Sequence, residues 1–87
     1  MAEVRLPMTL QPLFPGLPRR LEVDAATVDA AIDRLEKEWP GVRDRLCEPG
    51  QALRMHIHVY VDQRRAGLDT PLEPHSRLDV VAAISGG

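Results

Sequence analysis

Val4, Leu6, Met8 and Leu10 alternate with Arg5, Pro7 and Thr9 near the start of the chain. Successive side chains of a strand leave on opposite faces, so this period of two predicts a half-buried strand. Pro7 has no N–H to give to a ladder and belongs where no neighbouring strand needs one. Pro12, Pro15, Gly16 and Pro18 then break the pattern, and Leu21-Glu22-Val23 resumes it. Strand, turn, strand is the reading.

The period changes at Thr27. Val28, Ile32, Leu35 and Trp39 recur at helical spacing, and Ala31 widens their stripe. Thr27 is a suitable N-cap, and Asp29 in the first turn complements the helix dipole. Pro40 pushes the residue before it out of the α region, and Gly41 supports the break. Val42 to Leu46 suits one further helical turn, and Glu48-Pro49-Gly50 reads as a loop.

Alternation returns with Met55, Ile57, Val59 and Val61 against His56, His58, Tyr60 and Asp62. The polar stretch from Asp62 to Gly67 suits a turn and a short edge strand, and Leu68 and Leu72 are expected to reach the core from an irregular segment. Leu78, Val80, Ala82 and Ile84 form a last alternating run that leads into Ser85-Gly86-Gly87. One amphipathic helix among several half-apolar strands has one two-layer solution. The predicted class is α+β, with a mixed four- to five-stranded sheet and one main helix packed on one face, all in a single domain over residues 1–87.

A chain of 87 residues has room for one modest core, and a deep cleft of its own is not expected. It reads as a subunit, carrier or binding module that works with a partner. A net charge of −2 with interspersed arginines offers no basic stripe for nucleic acid. No run approaches the ~18 apolar residues of a membrane span, and no secretion signal is visible. With Cys47 as the single cysteine, no internal disulfide forms, and a cytoplasmic location is expected.

The element order, the capped helix after the first hairpin, and the final strand running into Gly-Gly together resemble the MoaD/ThiS family of sulfur carriers, relatives of ubiquitin. Ala83-Ile84-Ser85-Gly86-Gly87 is similar to that family's tail, and Trp39-Pro40-Gly41-Val42 to its helix exit. The resemblance implies a β-grasp, ubiquitin-like fold with a flexible tail at 85–87. Some positions depart from the family pattern. Asp62 stands where many members carry Asn, and His75-Ser76-Arg77 where a Gly-Asp-type turn is common. Ala82-Ala83 replaces the proline pair of many molybdopterin-type members.

What the resemblance implies chemically is a carrier and not an enzyme. An adenylating partner uses ATP to activate the Gly87 carboxylate, and sulfur replaces the adenylate. The resulting thiocarboxylate donates sulfur within a sulfur-accepting synthase subunit. No cofactor is held permanently. Glycine has no side chain to obstruct a narrow channel and little φ restriction. Ser85, Gly86 and Gly87 span roughly 10 Å at about 3.3–3.6 Å per extended residue. Molybdopterin synthesis is the leading pathway, on length and the extra segment after the helix. Cysteine, thiamin-type or other sulfur metabolites are the alternatives, as is a role as a ubiquitin-like protein modifier.

Val81 and Ala83 fall on the sheet face opposite Leu78, Val80, Ala82 and Ile84, beside His58 and Tyr60. Exposed there, they would form a partner-docking patch; scattered surface apolars are the plainer reading. His56 and His58 point the same way and, with Asp62 or His75, resemble a zinc fragment. Two ligands do not make a site, so the expectation is no metal. Cys47 has no evident His or Asp partner and reads as a small buried apolar residue.

Overall fold

The computed structural model describes residues 1–50 and 52–83. Strands β1 (Ala2–Arg5) and β2 (Arg20–Val23) precede the main helix α1 (Val28–Glu38) and a short helix α2 (Val42–Leu46). Strands β3 (Cys47–Glu48), β4 (Ala52–Leu53), β5 (Ile57–Val61), β6 (Arg64–Ala66) and β7 (Arg77–Ala82) complete the described chain. The main sheet runs β2-β1-β7-β5-β6, while β3 and β4 pair separately. β1 lies parallel to β7, and every other neighbouring pair is antiparallel. This is the mixed sheet expected, with the first and last strands side by side at its centre.

Register puts the apolar side chains on one face. Val4 is opposite Leu78, and Val59 is opposite Val80; all four are buried. Val28, Ala31, Ile32 and Leu35 of α1 are buried in the same cluster. Removing each large aliphatic side chain from water contributes about 1.5–3 kcal/mol, so this layer contact is what holds helix to sheet. Leu72 is buried and Leu68 packs against the core, as expected of an irregular segment that reaches inward.

The start of α1 is closed by side chain and backbone together. Thr27 Oγ1 accepts from the Ala30 amide at 3.1 Å. The Val28 and Asp29 amides donate to the Thr70 and Leu68 carbonyls at 3.0 and 2.8 Å. Amides that have no partner within the helix are thereby satisfied. At the other end Trp39 leaves the helix at φ −130° and caps it, with its N–H donating to the Leu35 carbonyl. Trp39 is therefore not on the helical stripe, although it packs half-buried on the core. Gly41 then takes φ +103°, and the Glu36 carboxylate accepts from the Gly41 and Arg43 amides at 3.1 and 2.9 Å. Arg43 reaches back from α2 to Asp29, and to Asp33 at 2.8 Å. The hydrogen bond that Arg43 donates to Asp29 raises the Arg43 pKa further.

The run from Val4 to Leu10 is not one strand. The Leu6 amide still pairs with the Arg19 carbonyl, but Pro7 cannot donate, and Met8–Leu13 winds into a 3₁₀ helix. In that geometry Leu10 is buried and Met8 is 65% exposed. Met55 likewise leaves its strand. The Ile57 amide closes a turn onto the Arg54 carbonyl at 2.9 Å, and Met55 at its apex is 92% exposed. The expected loop around Pro49 is the turn of a hairpin in which Cys47 faces Leu53.

The β5–β6 turn uses Asp62 and Gln63 at φ 51° and 71°, a type I′ hairpin that matches the twist of its strands. Asp62 Oδ1 also accepts from the Arg77 amide at 2.9 Å. Ser76, a buried polar residue, accepts from the Glu73 amide at 2.9 Å and so stabilises the turn into β7. The last described residues of the final run are Ala82 and Ala83, and Ile84, expected to continue it, lies outside the described residues. No helix among the described residues is long and apolar enough to cross a membrane.

Candidate functional site

The outer face of the sheet carries the residues singled out for docking. His58 is opposite Val81 and Tyr60 is opposite Asp79; facing residues of an antiparallel pair share a side. Val81 is 42% exposed, while His58 and Tyr60 are half-buried and Ala83 is exposed. Val81, His58 and Tyr60 are thus brought together, with Ala83 at the end of the same row. The Ala83 amide donates to the His56 carbonyl at 2.7 Å, which extends the β7–β5 ladder by one residue. Ser85, Gly86 and Gly87 lie outside the described residues.

Toward β1 and β2 the same face turns ionic. Arg5 Nε donates to Glu3 at 2.8 Å, and Arg77 Nε donates to Asp79 at 3.1 Å. The Arg5 hydrogen bond lowers the Glu3 pKa and raises that of Arg5. Pairs this accessible contribute little to stability, but they leave the apolar part of the face confined to the β7–β5 side.

His56 lines a groove with Leu13 and Arg45, whereas His58 stands opposite Val81 beside Arg65. Arg65 donates to His58 Nδ1 at 2.8 Å; guanidinium has no acceptor, so His58 in this contact carries its proton on Nε2. Among the described residues no group of three or more His, Cys, Asp or Glu side chains is arranged to hold a metal ion. Cys47 is buried, and desolvation pushes its thiol pKa up. That environment suits a packing residue and opposes thiolate formation.

Sequence spacing did not reveal a groove at the same end of the molecule as Ala83. One cavity of ≈ 630 Å³ lies between Leu13, Phe14, Gly41, Arg45, Arg54 and His56. An adjoining cavity of ≈ 540 Å³ shares Leu13, Arg45 and His56 and reaches Ala82 and Ala83. These residues come from separate stretches of chain, and only the fold collects them.

Comparison with known proteins bears on both the tail and the fold. The family model described as "ThiS family" matches residues 12–87. This chain belongs to the ThiS family. The expected MoaD/ThiS-type, ubiquitin-like β-grasp architecture is borne out with it. The sulfur carrier protein CysO of Mycobacterium tuberculosis and of Mycobacterium bovis is 26% identical to this ThiS-family chain over 90 residues, 97% of the chain and 96% of the relative. A chain in the crystal structure of the Amycolatopsis orientalis BexX/CysO complex superposes with a TM-score of 0.88 at 27% identity, covering 100% of both chains. SAMP1 from Haloferax volcanii superposes at 0.77 with 28% identity, over 99% of this chain and 98% of its own. The mycobacterial relatives bear the name sulfur carrier protein CysO, which supports a sulfur carrier and does not single out the molybdopterin pathway expected on length.

Proposed function

We propose that this ThiS-family protein carries sulfur as a thiocarboxylate on Gly87 and supplies it to cysteine synthesis in the cytoplasm. The observation that carries the reading is the family match, which continues through Gly86 and Gly87; the full-length similarity to mycobacterial CysO supports the cysteine branch. In the first step a Gly87 carboxylate oxygen attacks the α-phosphorus of ATP on a partner enzyme, and pyrophosphate leaves. In the second, a sulfide nucleophile adds at the acyl carbon and expels AMP, leaving a C–S bond at the chain end. The protein itself supplies a slender substrate and a folded handle. Val81, Ala83, His58 and Tyr60 are the face of that handle that meets a partner. The A. orientalis relative in a BexX/CysO complex lends support to a carrier that works bound to another protein.

Intact-mass analysis after incubation with an adenylating enzyme, ATP and a sulfur source tests the proposal. Exchange of one oxygen for sulfur at Gly87 is expected. Deleting Gly87 abolishes that exchange and leaves the melting temperature unchanged, because a glycine brings no side chain to a core. The likeness to SAMP1, a small archaeal modifier protein, favours a second reading, in which covalent conjugates form instead. Conjugates without thiocarboxylate would overturn the carrier role.

A further inference from the structure

The groove at Ala83 has no part in the chemistry of Gly87, yet its position and composition are those of a recognition site. We propose that it seats the enzyme that adenylates Gly87, through an entrance on that enzyme lined by carboxylates around an apolar contact. The inference rests on the carrier reading above and adds the surface by which the activating partner identifies its substrate.

Reach comes first. Four residues separate Ala83 from the end of Gly87, and extended chain covers about 14 Å at most over that length. A partner that takes Gly87 into a buried nucleotide pocket must therefore press against whatever surrounds Ala83. That surface is the groove lined by Leu13, Arg45 and His56, which ends at Ala82 and Ala83.

Charge comes second. The chain is acidic overall, at −2, but Arg45 and Arg54 both line the groove with Asp44 as the one carboxylate. Among the described residues neither arginine forms an ion pair, a state they share with Arg19, Arg34, Arg64 and Arg65, but these two stand together in one groove. The Arg54 stem is held in place, since its Nε donates to the Asp44 carbonyl at 2.7 Å. Two neighbouring cations without carboxylate partners, one of them held in place, favour an acidic counterpart, which steers encounter and fixes orientation.

Apolar exposure comes third. Leu13 is 47% exposed, and Met55, between the lining residues Arg54 and His56, is 92% exposed. Leu13 ends a 3₁₀ segment anchored by buried Leu10, with Phe14 packed against the core behind it. A leucine displayed on a preordered turn loses little freedom on binding. The activating enzyme is the occupant that needs such a seat. It acts on an ordinary glycine carboxylate, a group common to many peptides, and must read the folded body to choose this one. A sulfur acceptor is able to read the thiocarboxylate itself.

The test uses full-length protein and the adenylating enzyme fractionated from the source cells by carrier-dependent ATP–pyrophosphate exchange. The double variant R45E/R54E should raise KM for the carrier about tenfold while kcat holds, and rising salt should raise the wild-type KM toward it. L13D should raise KM as well. R34E, the same kind of charge reversal at one exposed residue of α1, should leave both constants unaltered. Unchanged KM in R45E/R54E and L13D, with Gly87 still required, overturns the groove and leaves the carrier role standing. Normal adenylation with impaired sulfur delivery overturns the assignment to the activating enzyme. A wild-type chain that is never adenylated removes the carrier reading and the inference with it.

Discussion

Replacing Gly41 with alanine examines the joint between α1 and α2, the helix that carries Arg45. Gly41 sits at φ +103°, where a side chain costs about 1–2 kcal/mol. An added Cβ would also lie 3.2 Å from Phe14 Cε1 and 3.5 Å from Cζ. Crowding at the half-buried ring adds about 1 kcal/mol, the low end for overpacking. The expected loss is about 2–3 kcal/mol, a fall in melting temperature of about 10–20 °C for a domain of this size. Gly50 is an internal control, with φ +95° and nothing within 4 Å of its added Cβ. G50A should therefore lose only the conformational part, about 1–2 kcal/mol. Thermal denaturation followed by circular dichroism measures both. In an F14L background, which withdraws the ring atoms, G41A should fall to the cost of G50A. Equal losses for G41A and G50A, or no relief from F14L, would refute the steric half of the argument.

Other consequences are open to simpler measurements. T27A removes the Oγ1 acceptor of the Ala30 amide and should cost about 1 kcal/mol in urea denaturation, with an unchanged m value. Q63G relieves a non-glycine residue at φ 71° and should raise the melting temperature, the strain relieved exceeding the added entropy of the unfolded chain. Burial raises the Cys47 pKa above its ordinary 9.0. The folded state thus favours the thiol, and its contribution is complete below the ordinary value and declines as pH rises through the folded one. Wild type should accordingly lose stability relative to C47A above pH 9.0, and a pH series of chemical denaturation curves that stay parallel would contradict the assignment.

Physics that acts over a few residues was legible in the chain. The helix was readable because its cap, its dipole-matched Asp29 and its apolar spacing all lie within one segment, and neighbours three and four apart necessarily share a face. Val59 and Val80 were assignable to the core from alternation alone, because the pleat leaves no other choice. The opposite parity correctly grouped Val81 with His58 and Tyr60. The same logic misplaced Met8 and Met55, since alternation does not register a proline that ends pairing or a turn closed by a single backbone bond.

The capacity for a two-layer sheet and helix, and a glycine end suited to a narrow channel, are therefore properties of the sequence itself. Tertiary structure decided what surrounds the root of that end. Leu13, Arg45, Arg54, His56 and Ala83 are scattered along the chain, and no local preference brings them together. They meet because the central pairing of β1 with β7, and of β7 with β5, is selected by burying one shared core. A collective burial term of that kind has no signature within any single window of residues.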